Sequence, residues 1–296
     1  MRVLPDQVYS HAGGIDRLAD VHLPAGEGPF PVLIFLHGGG WRFGDRRLGP
    51  DLSRHFAAKG FAMVSIDYRL SGEAIFPAPV LDTVDAVHWV RAEAARYGFD
   101  AGRIGLWGSS AGGHLAALAG LAPEGEYGAG APAQAICAGY PPVAFLAMDD
   151  QRDPMIQPGD DPESAHLPTP RPVSDPEALE SLFLGGPVPD RADVAAEADP
   201  RRFARAEAPP MLLMHGTRDA AVPSAQSRML FDALASKGAE VMLIEAEGLG
   251  HGFFNRTDLD DRGALPLTEI RPGAAAIRRE GFIFETVAAF FAHHLG

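Results

Sequence analysis

The stretch Gly108-Ser109-Ser110-Ala111-Gly112 limits the fold of this chain more than any other. An apolar run, 103–107, precedes it, and a helix-forming run, 113–119, follows it. A serine with glycine two before and two after, placed between strand and helix, requires a sharp turn. Glycine has no side chain, so the backbone can bend there and other segments can approach closely. Such a turn lifts a hydroxyl clear of a sheet and makes it a candidate nucleophile. Ser110 meets the spacing; Ser109, between Trp107 and Ala111, does not. The helix that follows points its first amides and its positive dipole end back at the turn.

The remainder reads as alternating strands and helices. Short apolar runs at 32–36, 62–66, 103–107, 133–138, 211–214 and 240–245 predict strands buried on both faces. Helices are predicted at 51–59, 80–97 and 224–237, each stopped by a glycine (Gly60, Gly98, Gly238), and at 283–295. The first thirty residues predict one or two antiparallel edge strands. This pattern implies an α/β fold: a mostly parallel central sheet with helices on both faces, spanning residues 1–296 as one domain.

Two segments interrupt the alternation. Ten of the 26 prolines fall between 150 and 200, which excludes long regular structure there. Residues 140–200 are therefore expected to form an irregular cap or lid inserted in the domain. One short helix is predicted inside it, with Asp175 as N-cap, Pro176 at the first position and Gly185 at the stop. The second segment, 255–281, carries Asp258, Asp260, Asp261 and Pro266. It is read as a loop region bordering the site.

A formal net charge of -14 argues against a nucleic-acid binder, which needs clustered basic side chains, and disfavours anionic membranes. It suits neutral substrates. The single cysteine, Cys137, lies in an apolar run and reads as a small buried hydrophobe. The N-terminus shows no apolar signal core, and no apolar run approaches the roughly 18 residues of a membrane span. A soluble cytoplasmic protein is the expectation.

Three further elements would complete a serine-centred site. His37-Gly38-Gly39-Gly40-Trp41 follows the 32–36 strand. Its glycines leave amides open, so Gly38 and Gly39, with Ala111, are the expected oxyanion-hole donors. Trp41 is expected to wall the substrate pocket or simply to pack. Gly250-His251-Gly252 follows the last core strand, which makes His251 the candidate base. Asp219, after the 211–214 strand, is the candidate acid. Asp232 competes with it but falls inside a predicted helix. His37, His114 and His215 are expected to be structural, and His293 and His294 to be solvated.

The order Ser110, Asp219, His251 resembles the α/β-hydrolase superfamily over nearly the whole chain. Residues 37–41, Asp67-Tyr68-Arg69-Leu70 and 108–116 resemble the hormone-sensitive-lipase-like carboxylesterases. They are most similar to small bacterial carboxylesterases, acetyl- and feruloyl-type polysaccharide esterases and arylformamidases. Many lipase-like members have aspartate before the serine, and this chain has Ser109 there. The resemblance implies a structural brace in which Asp67 and Arg69 form an ion pair near the oxyanion loop.

Together these readings predict a serine carboxylesterase acting on small to medium esters through an acyl-enzyme on Ser110. It would use no metal and no organic cofactor; the sequence contains no His-Glu-x-x-His spacing and no nucleotide loop. Rates should rise with pH as His251 loses its proton. An amidase, arylformamidase or small-peptide hydrolase would use the same three residues. A non-catalytic binding protein on the same scaffold is the remote alternative. A homodimer through the last strand or closing helix is a further implication of the resemblance.

Overall fold

The computed structural model describes residues 1–127, 133–156, 169–256 and 258–296. The strands are β1 (Arg2–Ser10), β2 (Arg17–Leu23), β3 (Phe30–Leu36), β4 (Ala62–Ile66) and β5 (Phe99–Ser109). They continue with β6 (Ala135–Gly139), β7 (Met211–Gly216), β8 (Val241–Ala246), β9 (Leu265–Ile270) and β10 (Ile277–Gly281). All join one sheet in the order β1-β2-β4-β3-β5-β6-β7-β8-β9-β10. From β4 to β8 neighbouring strands run parallel; β1, β2, β9 and β10 add antiparallel edges.

The helices are α1 (Leu52–His55), α2 (Ala78–Ala92), α3 (Ala94–Tyr97), α4 (Ala111–Leu121), α5 (Leu179–Leu184), α6 (Ala192–Glu197), α7 (Ala225–Ser236) and α8 (Ile283–Leu295). Strand side chains alternate between the two faces. On β3, Val32, Ile34 and Leu36 enter the core shared with α2, α4 and α7, while Leu33 and Phe35 enter the core shared with α1 and α8. Both faces are thus covered, which is why these runs are continuously apolar. Every residue of α4 is buried, so the helix after the serine turn is a core element.

The boundaries differ from expectation where a turn intervenes. Residues 51–59 form α1 followed by a tight turn, closing at left-handed Gly60. The helix predicted at 80–97 breaks at Glu93 into α2 and α3 and stops at Gly98. In the insertion, α5 begins at Leu179, and Gly185 ends it in a left-handed conformation. Asp175 does not cap it: its side chain accepts from the Glu177 amide (2.8 Å), so it closes a local turn and Pro176 sits inside that turn.

The segment 255–281 is not only loop. Its second half folds as the β9–β10 hairpin and extends the sheet. Pro266 lies within β9. It stands one residue before the β8 pairing begins at Ala246 opposite Leu267, so its missing amide costs that ladder nothing. Residues 157–168 of the insertion and Thr257 lie outside the described residues.

Candidate active site

The chain leaves β5 at Ser109 and enters α4 at Ala111, turning within Ser110. Ser110 adopts φ 55° and ψ -119°. Positive φ in a residue with a side chain costs on the order of 1–3 kcal/mol and persists only where the surroundings enforce it. Here the Ser110 amide donates to the Gly139 carbonyl (2.8 Å), and its own carbonyl accepts from the His114 amide (2.9 Å). Gly112 is required by close approach: a Cβ there would overlap the Leu36 carbonyl oxygen.

This turn presents the Ser110 hydroxyl to His251. Ser110 Oγ lies 2.7 Å from His251 Nε2. His251 Nδ1 lies 2.7 Å from Asp219 Oδ2. The three residues arrive from the ends of β5, β7 and β8, and all are at most 8% exposed. Asp219 Oδ1 accepts from the amides of Ala221 (2.9 Å) and Val222 (2.8 Å). Burial alone would push this carboxyl up. The charge of His251 and hydrogen bonds from His215 and His251 outweigh burial and hold it below the usual carboxylate range. Asp219 is therefore ionised and fixes Nδ1 as the protonated nitrogen, leaving the Nε2 lone pair toward Ser110.

Gly38 and Gly39 follow β3 directly beside this pair. A Cβ on Gly38 would stand 3.4 Å from Ser110 Cβ, so the loop backbone runs against the serine. Gly39 takes φ 110°, and its carbonyl accepts from the amides of Arg42 (3.0 Å) and Phe43 (2.9 Å). Ala111 is the first residue of α4, where an amide has no partner within the helix. Gly38 and Ala111 thus flank Ser110, and Gly39 follows Gly38 in the loop.

Trp41, expected to wall the pocket or to pack, packs. It is 1% exposed. Its ring stacks on Phe183 of α5 at 4.4 Å and meets Phe145 and His114 edge-on. His37 is structural: Nδ1 meets the Gly38 carbonyl at 2.6 Å and the ring stacks on Tyr68. Asp232, on α7, is exposed.

The Asp67–Arg69 ion pair does not form. Arg69 instead pairs with Asp82 of α2 (2.7 Å), and Asp67 with Arg46 (2.6 Å). Residues two apart in an extended segment can serve different neighbours, and each of these has a buried partner of opposite charge closer than the other. Between them the Tyr68 hydroxyl donates to the His37 carbonyl (2.8 Å), which does brace the glycine loop.

Tyr140 and Arg152 escaped the sequence reading, and the expected structural histidines His215 and His114 make contacts it did not specify. His215 is structural as expected, yet its Nε2 also lies 3.1 Å from Asp219 Oδ2, while Ser227 faces its Nδ1 at 2.7 Å. Tyr140, at φ 38° just after β6, sets its ring 4.8 Å from His251 and accepts from the Phe254 amide (3.1 Å). Arg152 of the insertion donates to the Ala221 carbonyl (3.0 Å), on the loop that holds Asp219. His114 Nε2 meets the Ala198 carbonyl at 2.7 Å, tying α4 to the insertion. The aromatic pair after His251 was the available signal for Tyr140; nothing local marks Arg152.

Residues 19–234 match the family described as BD-FAE. The chain belongs to the BD-FAE family. That match includes Ser110 and Asp219; His251 lies beyond it, joined to them by the geometry above. This BD-FAE chain is 34% identical over 228 residues to Esterase LipC of Mycobacterium tuberculosis, covering 76% of this chain and 53% of that protein. It thus spans about half the length of that relative. Among solved structures it superposes on the thermophilic esterase Est2 of Thermogutta terrifontis with a TM-score of 0.64, at 28% identity, over 86% of this chain and 85% of the other. The same esterase has been solved phosphoramylated by tabun. A carbohydrate esterase from gut microbiota gives a TM-score of 0.76 over 99% of this chain and 96% of the other, at 23% identity, which bears on the fold alone. The BD-FAE chain has the α/β-hydrolase fold. Among the described residues no helix is long and apolar enough to cross a membrane.

Proposed function

We propose that this chain is a serine carboxylesterase that hydrolyses small to medium carboxylic esters. The observation that carries the reading is the unbroken relay from Ser110 Oγ through both nitrogens of His251 to Asp219, with 2.7 Å at each step. Ser110 Oγ attacks the ester carbonyl carbon while His251 Nε2 takes its proton. The carbonyl oxygen becomes an oxyanion facing the amides of Gly38, Gly39 and Ala111. Each such donor is worth about 10²–10³ in rate. The carbonyl reforms as the alcohol leaves with the proton from His251. Water, deprotonated by the same nitrogen, then releases the acid from Ser110.

The described part of residues 140–200 acts as a cap in this proposal. Its contacts with Trp41, His114 and the Asp219 loop support that role. The low exposure of Ser110 (8%) and His251 (4%) favours short acyl groups. A cytoplasmic, homodimeric enzyme completes the reading; cell fractionation and light scattering test those two parts.

The deciding experiment compares wild type with Ser110→Ala on a short p-nitrophenyl ester. Turnover should fall on the order of 10⁶-fold, and a fluorophosphonate should label wild type only. The esterase modified by tabun is a precedent for that reagent class. A matched anilide in the same assay separates ester from amide hydrolysis. Near-full activity in the alanine variant would sink the proposal.

A further inference from the structure

At the opposite end of β8 from His251, a cavity of about 620 Å³ opens between α8 and the sheet edge, with Glu240, His293 and His294 in its wall. The two histidines were expected to be solvated. His293 is exposed, as expected, and His294 is half-buried; the structure also brings both beside a carboxylate. One donor atom from each of Glu240, His293 and His294 lies within 4.8 Å of the others. His294 Nε2 is 3.8 Å from Glu240 Oε1, and the two imidazole rings are 4.7 Å apart.

The backbones behind these donors are fixed. The Glu240 carbonyl accepts from the Met211 amide (3.0 Å), which ties it to the sheet. Both histidines stand in the last turn of α8, where unsatisfied carbonyls favour positive charge. The helix is anchored nearby by Phe291 and Leu295, both buried. Other charges lining the cavity already have partners: Glu269 pairs with Arg271 (2.6 Å) and Arg279 (3.3 Å), and Glu285 with Lys59 (2.5 Å).

We propose that Glu240, His293 and His294 bind a divalent cation of the zinc type and clip the C-terminal helix to the start of β8. Two imidazole nitrogens and one carboxylate oxygen suit zinc, cobalt or nickel, with water as a fourth ligand. Magnesium and calcium prefer oxygen donors alone. Bonds of about 2.0–2.2 Å set tetrahedral donors roughly 3.4 Å apart. Rotamer changes at the exposed Glu240 and His293 side chains supply that closure. The six residues of β8, about 20 Å of strand, separate the site from His251, so the cation stabilises the helix and takes no part in ester chemistry.

The test titrates Zn²⁺ calorimetrically into the full chain without an affinity tag, and into His294→Ala and Glu240→Gln. Wild type should take up one zinc per chain, and each variant should bind at least about tenfold more weakly. The melting temperature should rise with zinc in wild type more than in either variant. Co²⁺ should give a visible tetrahedral absorption that both substitutions reduce, and Mg²⁺ should not bind. Both variants should keep wild-type rates on a short ester, which reports intact folding. If His294→Ala fails to fold, Glu240→Gln decides alone, because that side chain is exposed. Absence of saturable one-to-one binding in wild type, or undiminished binding in Glu240→Gln, overturns the proposal.

Discussion

At Gly112 the constraint is steric: any side chain would overlap the Leu36 carbonyl. At His114, two residues later, a hydrogen bond to Ala198 and ring contacts with Phe145 and Phe183 tie the helix to the insertion. The serine turn is held by backbone that nothing but glycine fits. The insertion is held mainly by side-chain contacts of this kind, with a backbone bond from the Phe76 amide to the Phe183 carbonyl (2.9 Å). A region fixed by backbone sterics shows in the sequence as a motif; a region fixed by individual side-chain contacts does not.

The largest effect should come from the steric side. Gly112→Ala should destabilise by about 4 kcal/mol or more, because backbone and not a flexible side chain must move. Thermal melts or loss of soluble protein would register it, and a variant with an unchanged melting temperature would break the contrast. Next comes the insertion. Phe183→Ala removes the ring stacked on Trp41 and should cost about 3–4 kcal/mol. Its melt should lose stability while the Ser110 turn still reacts with a fluorophosphonate.

A pH experiment sharpens the same comparison. Burial lowers the pKa of His114 from 6.5 to about 4, opposed in part by its hydrogen bond to Ala198 and by Asp199. The unfolded chain therefore binds a proton between those values and the folded chain does not. Stability from this group is complete above pH 6.5 and is lost as pH falls toward 4, on the order of 3 kcal/mol in total. Denaturant midpoints across that window should shift less in His114→Gln than in wild type. The smallest effect should follow Arg152→Ala, which frees the Ala221 carbonyl on the loop that holds Asp219. A fall in kcat of up to about tenfold, with little change in the melt, is expected from one lost charged hydrogen bond.

How much was legible follows the same division. The β5–Ser110–α4 turn and the glycine loop after β3 were readable from local spacing, and the order of Ser110, Asp219 and His251 from their places after successive apolar strands. The Asp67–Arg69 pairing was not, since Asp82 and Arg46 compete from other elements. The β9–β10 hairpin was hidden by Pro266, whose harmless place in the ladder depends on register. Tyr140 and Arg152 act across long sequence separations, where periodicity carries no signal.

Asp219 receives two amides on one oxygen and two imidazoles on the other. With the His251 imidazole gone, three of those donors would remain, and the carboxylate would stay anchored. If the proposed esterase reading holds, such a scaffold could lose hydrolysis in one mutational step and keep its shape, free to serve as a receptor for the same esters.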